Sequence, residues 1–199
     1  NLQTVNNALA LGAGVTANAA SGNLALGGVI SGANSLTKAG SGTLTLSGAN
    51  TFSAGLIVQE GTVSAITSAS ALGADGVTLG HSSGSANATI QGAGLTLANA
   101  ITVAAGSSGT ATIRNDSGTT TLTGGMTLNK PVRLVSGATA LILQTAGISG
   151  SSAVTVARDA GTGQVRFNVG NAAFTGEVTV ESGVLQILSA SALSSANAV

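Results

Sequence analysis

Three features of this sequence predict an all-β fold, a right-handed single-stranded parallel β-helix (solenoid) running through residues 1–199 as one segment. Aliphatic residues alternate with small or hydroxyl residues over short runs from end to end, as along half-buried strands. Turn clusters nearly as short as the strands separate them. One stretch then returns: TKAGSGTLTLSGANTFSAGLIVQEGTVSAITSASAL, from Thr37 to Leu72, is echoed from Gly161 by GTGQVRFNVGNAAFTGEVTVESGVLQILSASAL. Tandem self-similarity marks a solenoid, whose units bury their apolar faces against one another.

In chain order, Leu24-Ala25-Leu26, Thr43-Leu44-Thr45-Leu46, Leu56-Ile57-Val58, Leu95-Thr96-Leu97, Ile101-Thr102-Val103, Thr121-Leu122-Thr123 and Val154-Thr155-Val156 read as strands. Between them lie turns at Ser31–Asn34, Ser47–Asn50, Ala74–Gly76, Ser82–Gly84, Asn115–Gly118 and Gly147–Gly150. No stretch holds a helical apolar face for three turns, so helix content should be small, limited to a single helical or 3₁₀ turn at Ser68–Leu72 and its echo from Ser189. Within the echo Phe174 answers Phe52, Val178 and Val180 answer Leu56 and Val58, Gly183 answers Gly61, and Leu193 answers Leu72. A further match of Gly22–Gly32 with Ala140–Gly150 extends the two copies to about 24–77 and 141–195. The residues expected to build the repeat are Gly42, Leu44, Leu46, Gly48, Asn50, Phe52, Gly55, Val58, Gly61, Phe174, Val178, Val180 and Gly183. At roughly 20 to 22 residues and ~4.8 Å of rise per coil, the chain makes about nine coils. Its start at Asn1 and its stop at Val199 inside an alternating run, without a cap at either end, read as a fragment of a longer rod.

Composition supports a narrow interior. Aromatic residues are 2% of the chain, with three Phe, one Met and no Trp or Tyr, so few large side chains exist to fill a wide core. Charged residues are 6%, against roughly 25% in an ordinary soluble domain. The six basic residues are dispersed, which leaves neither a nucleic-acid footprint nor a polybasic membrane patch. The absence of cysteine removes disulfides and thiol chemistry. No apolar run reaches the ~18 residues of a membrane span. Ala8–Ala20 lacks the basic flank of a signal peptide.

Candidate chemistry is thin, and the chain is not expected to be an enzyme. His81, the single histidine, sits in Gly80-His81-Ser82-Ser83-Gly84 without a GxSxG elbow and reads as an exposed turn residue. Glu177 and Glu181 share a strand face, but with no basic partner nearby they read as solubilising rather than as a glycosidase pair. Asp75 and Asp116 do not recur at the period of a calcium-binding roll. Ala105–Gly109 and Thr123–Gly125 open no helix and precede no Lys-Ser/Thr pair, so they are turns rather than phosphate cradles. The pairs Thr43/Thr45, Thr110/Thr112 and Thr121/Thr123 resemble ice-binding ranks, but they do not fall on a common coil period and read as β-forming residues on a solvated face. Arg158, Asp159 and Arg166 are expected to form surface ion pairs. No catalytic, cofactor or metal residues are assigned.

The run Leu36-Thr37-Lys38-Ala39-Gly40-Ser41-Gly42-Thr43-Leu44-Thr45-Leu46-Ser47-Gly48-Ala49-Asn50-Thr51-Phe52, followed by Gly55, Val58 and Gly61, resembles the passenger-associated transport repeat of bacterial autotransporters. It departs from the family pattern LTKxGxGTLTLSGxNTYSGGTxVxxGTL at Phe52, Ala54 and Val63; the second copy is more degenerate. The resemblance implies a passenger domain of type V secretion, carried through the periplasm and across the outer membrane by its own C-terminal outer-membrane β-barrel. The product would be a surface-displayed or secreted structural segment, a stalk or adhesin scaffold. The alternative is a toxin-like or receptor-binding effector that engages a host receptor, glycan or matrix through a loop such as His81–Asn87 or Arg158–Gly163.

Overall fold

Every named strand of the computed structural model lies parallel to its neighbours, and together they wind into a solenoid of about nine turns. The structure describes residues 1–20, 22–137, 141–159 and 161–193; Ala160 in the Arg158–Gly163 loop and residues 194 and 195 of the second repeat copy lie outside them. Strands are two to five residues long, and no helix occurs among the described residues.

Each coil visits up to three faces in a fixed order. Face 1 is a nine-stranded sheet running from Leu2–Val5 to Val178–Val180. Face 2 carries a two-stranded sheet (Leu9–Ala10 and Ile30–Ser31) near the N-terminus and a five-stranded sheet from Thr96–Leu97 to Val184–Ile187 further on. Face 3 is a seven-stranded sheet from Val15–Asn18 to Ile148–Ser149. Coil length varies: Thr43 lies beside Thr62, whereas Gly61 lies beside Ala88.

Alternation places every second residue inside, and the parallel register stacks like on like. On face 1, Leu24, Leu44, Val63, Ile90, Ile113, Leu134 and Val156 form one column. On face 3, Leu36, Leu56, Val77, Ile101, Met126 and Ile148 form another. These columns merge into one core of small aliphatics, the narrow interior that so few aromatics can fill.

Hydroxyls stack outside in the same way. Thr43, Thr62, Thr89 and Thr112 form a rank on face 1, and Thr78, Thr102, Thr127 and Ser149 one on face 3. The sequence hides these ranks because coils of unequal length give their members no common spacing. Of the threonines paired in the sequence, Thr43 and Thr112 stand in the face 1 rank, whereas Thr121 lies on face 2 beside Thr96.

A third inner column, at the corner from face 1 to face 2, changes character along the axis. It runs Leu26, Leu46, Ala65, Gly92, Asn115, Ser136 and Arg158. Where the aliphatics end, Asn115 and Thr120 pair with each other: Thr120 Oγ1 donates to Asn115 Oδ1 at 2.8 Å, and Asn115 Nδ2 donates to the Gly118 carbonyl at 2.9 Å, whereas the buried Ser136 hydroxyl finds no partner among the described residues. The pairing limits the cost of burying Asn115 and Thr120.

Candidate functional site

The repeat residues assemble into one structural site per copy. In the first copy Leu44, Leu46, Phe52 and Val58 are wholly buried. Gly55 and Gly61 have φ of 85° and 71°, in the left-handed region that glycine enters without strain. Gly42 and Gly48 lie so close to the backbone of the preceding coil that a Cβ on either would collide with a carbonyl. In the second copy Phe174 and Val178 are wholly buried and Gly183 has φ of 89°. Val180 is 41% exposed where its counterpart Val58 is buried, because its strand is the edge of face 1.

The two copies do not occupy the same faces. Leu44 and Leu46 lie on face 1, whereas their counterparts Val165 and Phe167 lie on face 2. Likewise Leu56 and Val58 lie on face 3, whereas Val178 and Val180 lie on face 1. The second repeat has the local structure of the first, turned by one face about the solenoid axis.

Asn50 and Asn171 give each site its polar centre, and both are about 1% exposed. Asn50 Oδ1 accepts from the Ile30 N–H of the preceding coil at 2.8 Å, and its Nδ2 donates to the Ala71 carbonyl of the following coil at 2.6 Å. Asn171 repeats this, accepting from Ile148 N–H at 2.8 Å and donating to the Ala192 carbonyl at 2.8 Å. The sequence reading named Asn50 but omitted Asn171; the signal was there, since each asparagine stands just ahead of its repeat's phenylalanine.

Lys38 was also missed. It shares inward parity with Leu36 and is fully buried, between Ala17 and Val58 in its column. Its ammonium donates to the carbonyls of Ala39 and Glu60, each at 2.9 Å, and to that of Gly40. Burial lowers its pKa from the ordinary 10.5, with nearby Glu60 opposing. Lys130 is held in a similar way by the carbonyls of Ser107 and Gly109, and burial lowers its pKa too.

The polar surface residues pair differently from expectation. Asp159 meets Arg114 at 2.6 Å rather than Arg158, and Arg166 donates to Gln164 at 3.2 Å. Glu181, expected to stand without a basic partner, pairs with Arg133 at 2.7 Å. Parallel stacking explains both, because it brings side chains from coils two turns apart onto one outer face. Burial pulls against Arg114's charge, but Asp116 and Asp159 outweigh it and raise its pKa. His81 is half-buried and accepts the Ser83 N–H of its own turn through Nδ1 at 3.0 Å. Among the described residues no three His, Cys, Asp or Glu side chains cluster to hold a metal.

This geometry defines a class: a parallel β-solenoid whose distinctive side chains tie coil to coil. Residues 36–65 and 159–187 each match the family described as Passenger-associated-transport-repeat. Over 69 residues the chain is 49% identical to a protein named Adhesin BmaC autotransporter from Brucella suis biovar 1 (strain 1330). That alignment takes in 34% of this chain and 2% of the relative's length. No solved structure matches the chain. The solenoid, its two repeats and this relative together support an autotransporter passenger domain.

Proposed function

We propose that this chain is a structural stretch of an autotransporter passenger, a stalk or adhesin scaffold without enzymatic activity, whose coils assist export by stacking one after another. The observation that carries this reading is the continuous core: every coil presents an aliphatic rank that its neighbour covers, from Leu24 to Val156 on face 1. Each completed coil is a template for the next, so folding can advance along the rod as chain becomes available. The lack of cysteine suits transport of an unfolded chain.

In this reading the passenger is joined on the same polypeptide to a C-terminal outer-membrane translocator, and it ends displayed on the cell surface or secreted. The relative's name supports an adhesin over other passenger types. The test is Leu44→Asp with Leu46→Asp in the full-length protein. Two charges buried in adjacent columns of one coil block stacking, and surface display measured by antibody labelling of intact cells should fall several-fold. Unchanged display would overturn the export role.

A receptor-binding reading draws on one observation: Ser82–Ser85 stand exposed on the loop between the strands Val77–Leu79 and Ala88–Gly92. Binding of this chain to host cells that disappears when the loop is shortened would favour it.

A further inference from the structure

Three successive coils repeat together around Asn50 and Asn171. The preceding coil supplies Ile-Ser-Gly in both cases: Ile30 and Ile148 are each 1% exposed, and Gly32 and Gly150 have φ of 116° and 108°. The middle coil supplies the asparagine and a fully buried phenylalanine. The following coil supplies Ser-Ala-Ser-Ala-Leu, folded into the same turn twice. Ala71 N–H donates to the Ser68 carbonyl at 3.1 Å, and Ala192 N–H to that of Ser189 at 3.0 Å. The paired serine hydroxyls lie 3.1 Å and 3.3 Å apart.

The first set sits on face 2, against the strand Ile30–Ser31. The second sits on face 3, against the strand Ile148–Ser149. The local chemistry is the same and its position around the solenoid is not.

We propose that this set is a portable three-coil clamp, in which the asparagine is a docking site for the Ile-Ser-Gly strand before it and the Ser-Ala-Ser-Ala-Leu turn after it, on whichever face it falls. Aliphatic ranks alone specify stacking weakly, because Leu, Ile and Val replace one another along the face 1 column and the coils differ in length. The carboxamide is selective. A slip of one residue in either neighbouring coil would leave a buried amide group without its partner, a larger penalty than a lost contact. Its last part, the turn, lies beyond residues 36–65 and 159–187, so the working unit extends past the matched repeat. None of this depends on the passenger reading.

Amide hydrogen exchange on the 199-residue chain tests it. Asn50→Ala should speed exchange at Ile30 and across Ser68–Gly73 at least tenfold and leave Ile148 and Ala192 unchanged; Asn171→Ala should do the reverse. Equal acceleration at both sites would mean general destabilisation and would overturn the clamp. Should Asn50→Ala not fold, Asn50→Ser, which cannot reach both coils, gives the same local reading. Exchanging residues 47–55 with 168–176 tests portability. Protection at Ile30 and Ile148 should stay within about threefold of the parent, whereas a swapped chain that loses both or fails to fold would overturn it.

Discussion

Gln144 and Leu26 hold corresponding places beside the two clamps, one polar and one apolar. Each stands one coil ahead of a repeat strand, Leu26 beside Leu46 and Gln144 beside Phe167. Gln144 is fully buried; its Nε2 donates to Asn171 Oδ1 at 3.1 Å, but its Oε1 has no partner. Asn171 Oδ1 keeps the Ile148 N–H without it. Gln144→Leu should therefore raise stability, by about 1 kcal/mol, as removal of a buried unpaired acceptor does; a lower urea midpoint would refute this. Lys38 is the opposite case, since its three carbonyl partners lose their donor together. Lys38→Met should cost about 1–3 kcal/mol. Its pH dependence follows from a folded pKa below the unfolded value: the unfolded chain binds more protons in the alkaline range just below 10.5, so stability rises with pH there. Lys130 adds to the same rise. Urea titrations over that range should show a smaller rise in Lys38→Met than in the parent.

At the scale of the element, alternation made the strands legible: Thr43–Leu46, Leu56–Val58 and Ile101–Val103 lie where their patterns predict. Alternation also encoded Lys38, whose parity with Leu36 points inward, but a charge on an inner position reads as an exception until the corner carbonyls that receive it are placed. The rotation of the second repeat was not legible, because a triangular coil offers equivalent corners and short-range sequence does not say which one is in use. The segment that closes the first clamp was expected as a single helical or 3₁₀ turn; it is a hydrogen-bonded turn without helix, and its tight packing was not legible. Gly73 has φ of 86°, and a Cβ on it would come within 2.5 Å of the Phe52 ring. Gly73→Ala should lose about 1–2 kcal/mol to the left-handed backbone and a further 1–3 kcal/mol to overpacking. Thermal melting would show it as a drop larger than Gly12→Ala gives, since Gly12 has open space around it and no positive φ.

For the whole molecule the question is what couples distant coils. The ion pairs Arg114–Asp159 and Arg133–Glu181 bridge coils two turns apart, but their side chains are 34% to 49% exposed. Such pairs contribute at most about 1 kcal/mol. Coupling therefore rests on burial between adjacent ranks, and a rod built that way behaves as a chain of nearest-neighbour contacts. A lesion should matter according to how many interfaces it breaks and where it stands. Ile113, 1% exposed, lies mid-rod between Ile90 and Leu134, so Ile113→Asp breaks two full interfaces at the centre. Leu24 lies near the N-terminal edge, partly buried, between Gln3 and Leu44. Hydrogen exchange should then show Ile113→Asp dividing the rod, with protection lost around Ile90, Ile113 and Leu134 while strands nearer Leu44 and Val165 keep theirs. Leu24→Asp should fray only the first two coils. If Ile113→Asp instead abolished protection uniformly, the rod would be a single cooperative unit, and long-range coupling beyond adjacent coils would have to exist.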